Sequence, residues 1–113
     1  MLKIYHNPRC SKSRKGLDYL KSKTSEFETC EYLKEGLTEQ DLREILLKTN
    51  MKPHDLVRTH EEIYKKELKG KKFTDDEWID IIVENPKLLH RPIIISDRKA
   101  VFAQPPEKLD ELL

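Results

Sequence analysis

This sequence has no long apolar run and almost no net charge. No apolar stretch approaches the roughly 20 residues that a membrane-spanning helix needs. The 22 Lys and Arg residues nearly balance the 21 Asp and Glu residues, which leaves a net charge of +1. Such a balance argues against a strongly charged macromolecular partner. We therefore expect a protein that neither spans a membrane nor binds nucleic acid directly.

The sequence also has few cysteines and no features of a secretory signal. The first ten residues, MLKIYHNPRC, contain one lysine and no apolar stretch of roughly 7 to 15 residues behind it. We therefore expect a cytoplasmic protein, in which the two cysteines are not joined by a structural disulfide. With 113 residues, of which 36% are hydrophobic, the chain is expected to form one domain over residues 1–113.

The N-terminal residues predict a strand, a helix and a second strand. Leu2 to His6 is β-prone and stops at Asn7-Pro8, because proline cannot continue a ladder. Apolar positions at helical spacing predict a helix from about Cys10 to Lys23, in which Gly16 suggests close packing against a neighbour. Glu26 to Tyr32 alternates acidic with β-prone residues, as in a strand with one exposed side. In a β-α-β unit the helix begins at the carboxyl edge of the parallel strands.

The block from about residue 36 to residue 89 contains no convincing strand. Thr38 and Thr74 are each followed three positions later by an acidic residue, the pattern of a capping box that begins a helix. Pro53 to Tyr64 also has a helical pattern. We predict a helical insertion over about residues 36–89.

The C-terminal residues predict two more strands and a helix. Three consecutive isoleucines within Arg91 to Ser96 indicate a strand buried on both faces, and Ala100 to Ala103 can return beside it as an antiparallel edge strand. A final helix is expected from Pro105, since proline is tolerated in a first turn. The predicted fold class is therefore α/β, a mixed four-stranded sheet made of a β-α-β half and a β-β-α half.

Cys10 is the strongest candidate for a nucleophile. It lies where the first strand turns into the first helix, so backbone N–H groups and the helix dipole should stabilise its thiolate. Arg9, Lys12 and Arg14 add positive charge nearby. The alternative is a half-buried packing cysteine. Ser13 occupies the place of the second cysteine of a thioredoxin-type motif, so an external thiol would have to resolve any adduct.

Two arginines are the next candidates. Arg91 directly precedes Pro92 at the start of a buried strand, which is unusual for a permanent charge unless the side chain faces a cleft or an anion. Arg58 is the second candidate. The alternative for each is a salt bridge at the surface. A cis bond before Pro92 is an open alternative to the trans form.

The remaining cysteine and the histidines carry weaker signals. Cys30 is expected to pack within the second strand. His6 precedes Cys10 by four residues and can tune the thiol. His54, His60 and His90 are scattered and have no companion cysteine, so we expect packing or exposed side chains and no metal site.

The residues described above resemble one known family along essentially the whole chain. The string His6-Asn7-Pro8-Arg9-Cys10-Ser11-Lys12-Ser13-Arg14, together with Arg58, Arg91-Pro92 and Pro105-Pro106-Glu107, is similar to that of the glutaredoxin-linked arsenate reductases. The resemblance implies a thioredoxin-like fold with a helical insertion. It also implies an oxidoreductase in which the Cys10 thiolate attacks arsenate, and glutathione and glutaredoxin complete the reduction to arsenite. Glutathione would be a co-substrate, with no bound cofactor.

The resemblance further implies roles for individual residues. Arg58 and Arg91 correspond to the arginines that contact the oxyanion, and His6 to a residue that supports the low thiol pKa. Ser13 and Arg14 would help to shape the anion-binding loop. The third binding arginine of the family corresponds to Gln104, which can donate a hydrogen bond but carries no charge.

Two other functions are compatible with the same fold. Spx-type regulators share it and bind RNA polymerase, but they typically carry a C-x-x-C switch, and Ser13 argues against that reading. A thiol reductase for another small substrate is the second alternative. Fold alone does not separate these functions, because function depends on the site.

Overall fold

The computed structural model describes all 113 residues and contains one mixed sheet of four strands. The strands, in chain order, are β1 (Leu2–Tyr5), β2 (Phe27–Cys30), β3 (Ile93–Ile95) and β4 (Ala100–Phe102). Their spatial order is β2-β1-β3-β4, with β1 parallel to β2 and the pairs β1-β3 and β3-β4 antiparallel. This topology confirms the predicted α/β fold with a β-α-β half and a β-β-α half.

Four α-helices accompany the sheet. Three of them lie between β2 and β3, and the last two of these three lie within the predicted insertion over about residues 36–89. The four helices are α1 (Ser11–Lys23), α2 (Tyr32–Glu35), α3 (Glu39–Thr49) and α4 (Asp75–Glu84). Both predicted capping boxes are present, since Thr38 caps α3 and Thr74 caps α4. Short 3₁₀ segments cover Pro53–Leu56, Pro86–Leu88 and Pro106–Leu112, and one π-helical turn covers Tyr64–Leu68. None of the helices combines the length and the apolarity required to cross a bilayer.

The predicted helix over Pro53 to Tyr64 does not form as one continuous helix. A 3₁₀ turn forms at its start, Val57 then makes an isolated antiparallel bridge with Leu89, and helical backbone resumes only at Glu62, just before the π-helical turn. The backbone N–H of Arg58 donates to the carbonyl of Leu88 at 2.7 Å, so pairing with a distant segment replaces the helical hydrogen bonds. The consequence is functional, because this pairing places Arg58 beside the residues that precede Arg91.

One apolar core lies on each face of the sheet. Because a strand is pleated, its successive side chains point alternately into the two cores. Ile4 and Ile94 face α1 together with Leu20, whereas Tyr5 and Ile93 face the helices between β2 and β3. All three isoleucines of β3 are buried, as the sequence predicted. The sheet is therefore rigid on both sides, and its carboxyl edge is a stable platform for the loop after β1.

The predicted close packing of Gly16 is confirmed and positions α1. A Cβ atom at this residue would lie 2.5 Å from Cγ of Pro92, well inside the normal contact distance. Glycine thus allows α1 to lie directly against Pro92, which holds the N-terminus of α1 close to Arg91. The Arg91–Pro92 and Gln104–Pro105 peptide bonds are both cis.

Candidate active site

Cys10 is the N-cap residue of α1, immediately after the loop that leaves β1. Its backbone N–H donates to the carbonyl of Asn7 at 3.1 Å, and its carbonyl accepts from the N–H of Arg14 at 3.0 Å. The side-chain oxygen of Asn7 accepts from the N–H of Arg9 at 3.1 Å, which closes the loop. The half-buried sulfur is therefore held at the start of α1, as the strand-turn-helix pattern predicted.

The surroundings of Cys10 favour the thiolate. Burial by itself would raise the pKa of the thiol, but hydrogen bonds outweigh it and the net pKa is lowered. The backbone N–H groups of Ser13 and Lys12 and the guanidinium of Arg91 supply these hydrogen bonds, and the charge of Arg91 adds to them. The stabilisation thus comes mainly from the first turn of α1 and from a distant arginine.

His6 and Ser13 form a buried pair beneath this loop. Nδ1 of His6 lies 2.7 Å from Oγ of Ser13, which also accepts from the N–H of Asn7 at 2.9 Å. The two side chains are 5% and 0% exposed, and burial lowers the pKa of His6, which favours a neutral imidazole. The hydroxyl of Ser13 thus links the imidazole of His6 to the backbone of Asn7. The pair therefore supports the loop that carries Cys10.

The guanidinium of Arg91 is fixed through one nitrogen, Nη1, and a second nitrogen, Nε, lacks a partner. Its Nη1 donates to the carbonyls of Lys87 at 3.0 Å and Leu89 at 3.4 Å, and lies 3.5 Å from the hydroxyl of Tyr32. Its Nε is buried and has no hydrogen-bond partner. Arg91 therefore combines a fixed position, a lowering effect on the pKa of the Cys10 thiol and one donor without a partner.

Arg58 is already engaged in an ion pair. Its Nη1 lies 2.6 Å from Oε2 of Glu61, and the two side chains are only 25% and 24% exposed. The bridge between Val57 and Leu89 holds the backbone of Arg58 beside the segment that leads to Arg91.

The hydroxyl of Tyr32 lies 3.5 Å from Nη1 of Arg91 and 3.4 Å from the carbonyl oxygen of Leu89. Tyr32 is fully buried, and burial raises the pKa of its hydroxyl, whereas the charges of Arg91 and Arg58 lower it and Cys10 raises it. Tyr32 thus contacts Arg91 directly and lies within the electrostatic range of Arg58 and Cys10. The sequence reasoning missed Tyr32, although its place directly after β2 puts it at the same sheet edge as Cys10.

His90 lies on the cationic side of this site. It stacks on Phe102 with ring centroids 4.9 Å apart. Burial lowers the pKa of His90, and the charges of Arg58, Lys12 and Arg91 lower it further. Burial and these charges therefore both favour the neutral ring of His90.

Three further residues considered in the sequence analysis are Arg14, Gln104 and Cys30. Nη1 of exposed Arg14 donates to the carbonyl of Pro8 at 3.0 Å, so this side chain braces the loop. Gln104 is half-buried and follows Ala103, whose N–H donates to the carbonyl of Pro92 at 3.0 Å. Cys30 is buried in β2, and burial raises the pKa of its thiol. No group of three or more potential metal-ligand side chains comes together.

The two cysteines should differ sharply in their reaction with iodoacetamide. Because a lowered pKa increases the thiolate fraction at neutral pH, the alkylation rate of Cys10 should reach half its maximum below about pH 8.5, the value of an unperturbed thiol. Cys30 should react slowly, with a midpoint above that value. Mass spectrometry of the two labelled peptides across a pH series measures both rates in one sample. In denaturant the two midpoints should converge, and an unchanged midpoint for Cys10 on unfolding would contradict an activated thiol.

Comparison with known proteins agrees with this geometry. Residues 5–112 match the model of the ArsC family. The chain is 39% identical to the uncharacterized protein YfgD of Escherichia coli, over 99% of this chain and 96% of that protein. It is 32% identical to an arsenate reductase of Neisseria meningitidis, over 99% and 97% of the two chains. The solved structure of an arsenate reductase from Vibrio cholerae superposes with a TM-score of 0.92 at 32% identity, covering 99% of this chain and 97% of that one.

Proposed function

Because this chain belongs to the ArsC family, we propose that it is a thiol-dependent oxidoreductase that reduces arsenate to arsenite. The Cys10 thiolate attacks the arsenic of arsenate and forms a sulfur–arsenic(V) bond, and one arsenate oxygen leaves as water. A glutathione thiolate then attacks the sulfur of Cys10. The sulfur–arsenic bond breaks, its electron pair stays on arsenic as arsenite, and Cys10 and glutathione form a mixed disulfide. Glutaredoxin reduces this disulfide and restores the thiolate.

The observation that carries this proposal is the position of Arg91. One guanidinium lowers the pKa of the nucleophilic thiol, and its buried Nε has no hydrogen-bond partner. A buried donor without a partner costs about 1 to 3 kcal/mol, so a shift of the guanidinium that exposes Nε to an oxygen of a bound oxyanion would recover that cost. Arginine presents donors in a planar fork that suits tetrahedral oxyanions. Nucleophile and anion donor therefore lie side by side.

The other residues complete a site for a small oxyanion. Arg58 provides a second guanidinium, and the N–H groups at the start of α1 support both the thiolate and the loop. His6 and Ser13 hold the loop from below, and Gln104 offers an uncharged donor. The same positive surroundings lower the barrier to attack, because they stabilise negative charge on sulfur and on the oxygens of arsenate.

An NADPH-coupled assay tests this function and its reductant. Protein, glutathione, glutaredoxin and glutathione reductase should consume NADPH only after arsenate is added, and omission of glutaredoxin should stop the turnover. NADPH consumption with a small disulfide but not with arsenate would favour a different thiol substrate. Absence of any turnover together with binding to RNA polymerase subunits would favour a regulator.

A further inference from the structure

The net positive charge of this site is lower than the number of its arginines suggests. Glu61 lies 2.6 Å from Nη1 of Arg58, and three quarters of each side chain is buried. The two side chains form an ion pair, and an ion pair contributes no net charge to the site. Gln104 contributes none either. Arg91, which lowers the pKa of the Cys10 thiol, forms no ion pair and keeps its full charge for a ligand.

The carboxylate oxygens of Glu61 can only accept hydrogen bonds from a ligand that is bound to Arg58. The carboxylate repels every unprotonated oxygen brought near it, and the repulsion grows with the charge of the ligand. An oxyanion that carries a protonated oxygen has one negative charge fewer and can donate to the carboxylate. Partial burial limits the screening of these charges by water and salt.

We propose that Glu61 is a specificity-determining residue, which makes the site select singly charged, protonated oxyanions over doubly charged ones. This inference rests on the proposed function, since it assigns a charge state to the ligand of the same site. For arsenate, the bound form is the dihydrogen monoanion. Its protonated oxygens already carry hydrogen for the water that leaves when Cys10 attacks.

The test compares two tetrahedral anions that differ in charge, sulfate and methyl sulfate. Binding is measured by calorimetry near neutral pH in a Cys10→Ser background, which cannot react. Glu61→Gln should strengthen sulfate binding by about 10-fold and methyl sulfate binding by only about threefold, because the repulsion from one carboxylate charge is twice as large for the dianion. Melting temperatures verify that each variant is folded.

Glu62 supplies a matched control from the next position of the chain. Its carboxylate pairs with Lys66 at 3.0 Å, and both side chains are largely exposed, at 78% and 70%. Glu62→Gln removes the same charge and should change the affinity for either anion less than about twofold, because solvent screens this pair. An equal gain in Glu62→Gln, or an equal gain for both anions, would show a general field effect and overturn the inference.

Arg91→Gln separates the inference from the proposed function. If both anions bind and Arg91→Gln abolishes their binding, while Glu61→Gln leaves sulfate affinity unchanged or weaker, the oxyanion site stands and the role of Glu61 fails. If no variant binds either anion, the oxyanion site fails, and the inference fails with it.

Discussion

Replacement of Cys10 with serine should abolish arsenate-dependent NADPH consumption, with a loss of at least about 10³-fold in kcat. The N–H groups of the first turn of α1 and Arg91 stabilise a thiolate, and a serine hydroxyl remains protonated in the same place. The variant should still fold, since the smaller hydroxyl fits in the place of the thiol and Cys10 is only half-buried. The coupled assay, with circular dichroism as a test of folding, measures the effect.

Cys30→Ser is the matched control for this result. Cys30 is buried in β2, and burial raises the pKa of its thiol, so it supplies no nucleophile at neutral pH. The variant should keep kcat within about threefold, with some loss of stability from a buried hydroxyl. Equal loss of activity in the two variants would contradict a mechanism with one nucleophilic cysteine, as would measurable turnover by Cys10→Ser.

Arg91→Gln should lower kcat/KM for arsenate by about 10² to 10³-fold. The guanidinium stabilises the Cys10 thiolate and keeps Nε free for a ligand oxygen, and glutamine supplies neither the charge nor the planar fork. The pKa of the Cys10 thiol should therefore rise in the same variant. Steady-state kinetics and the pH dependence of alkylation measure the two effects.

The pH dependence of alkylation also distinguishes this role from a purely structural one. Arg91 donates to the carbonyl of Lys87, so its loss can also reduce the melting temperature. Loss of stability alone would leave the pKa of Cys10 unchanged. Arg98→Gln removes the same charge from an exposed turn and should leave both kcat/KM and this pKa unchanged. An unchanged pKa and KM in Arg91→Gln would refute the assignment of Arg91.

The features that the sequence predicted correctly depend on short-range chemistry. Capping boxes at Thr38 and Thr74 use hydrogen bonds between residues three positions apart. Alternating and continuous apolar runs predict strands, because neighbouring side chains point to opposite faces of a sheet. The environment of Cys10 also depends on short-range chemistry, since the N–H groups that stabilise its thiolate lie two and three residues further along the chain.

The feature that the sequence predicted wrongly involves a long-range contact. Pro53 to Tyr64 has a helical pattern, but the backbone at Val57 pairs with Leu89 instead. Local propensity is a weak preference that tertiary hydrogen bonds override. The same bridge places Arg58 next to the segment of Arg91, so the error in secondary structure and the assembly of the site have one cause.

The sequence by itself determined the strand-loop-helix unit that activates Cys10, because that unit is built from adjacent residues and their backbone hydrogen bonds. Only the tertiary structure decided which distant groups surround the thiol. It placed Arg91 where it lowers the pKa of the Cys10 thiol, set the buried hydroxyl of Tyr32 3.5 Å from Nη1 of Arg91 and paired Arg58 with Glu61. The physical reason is that charge and burial act through space, so the net charge of the site depends on which side chains the fold brings together.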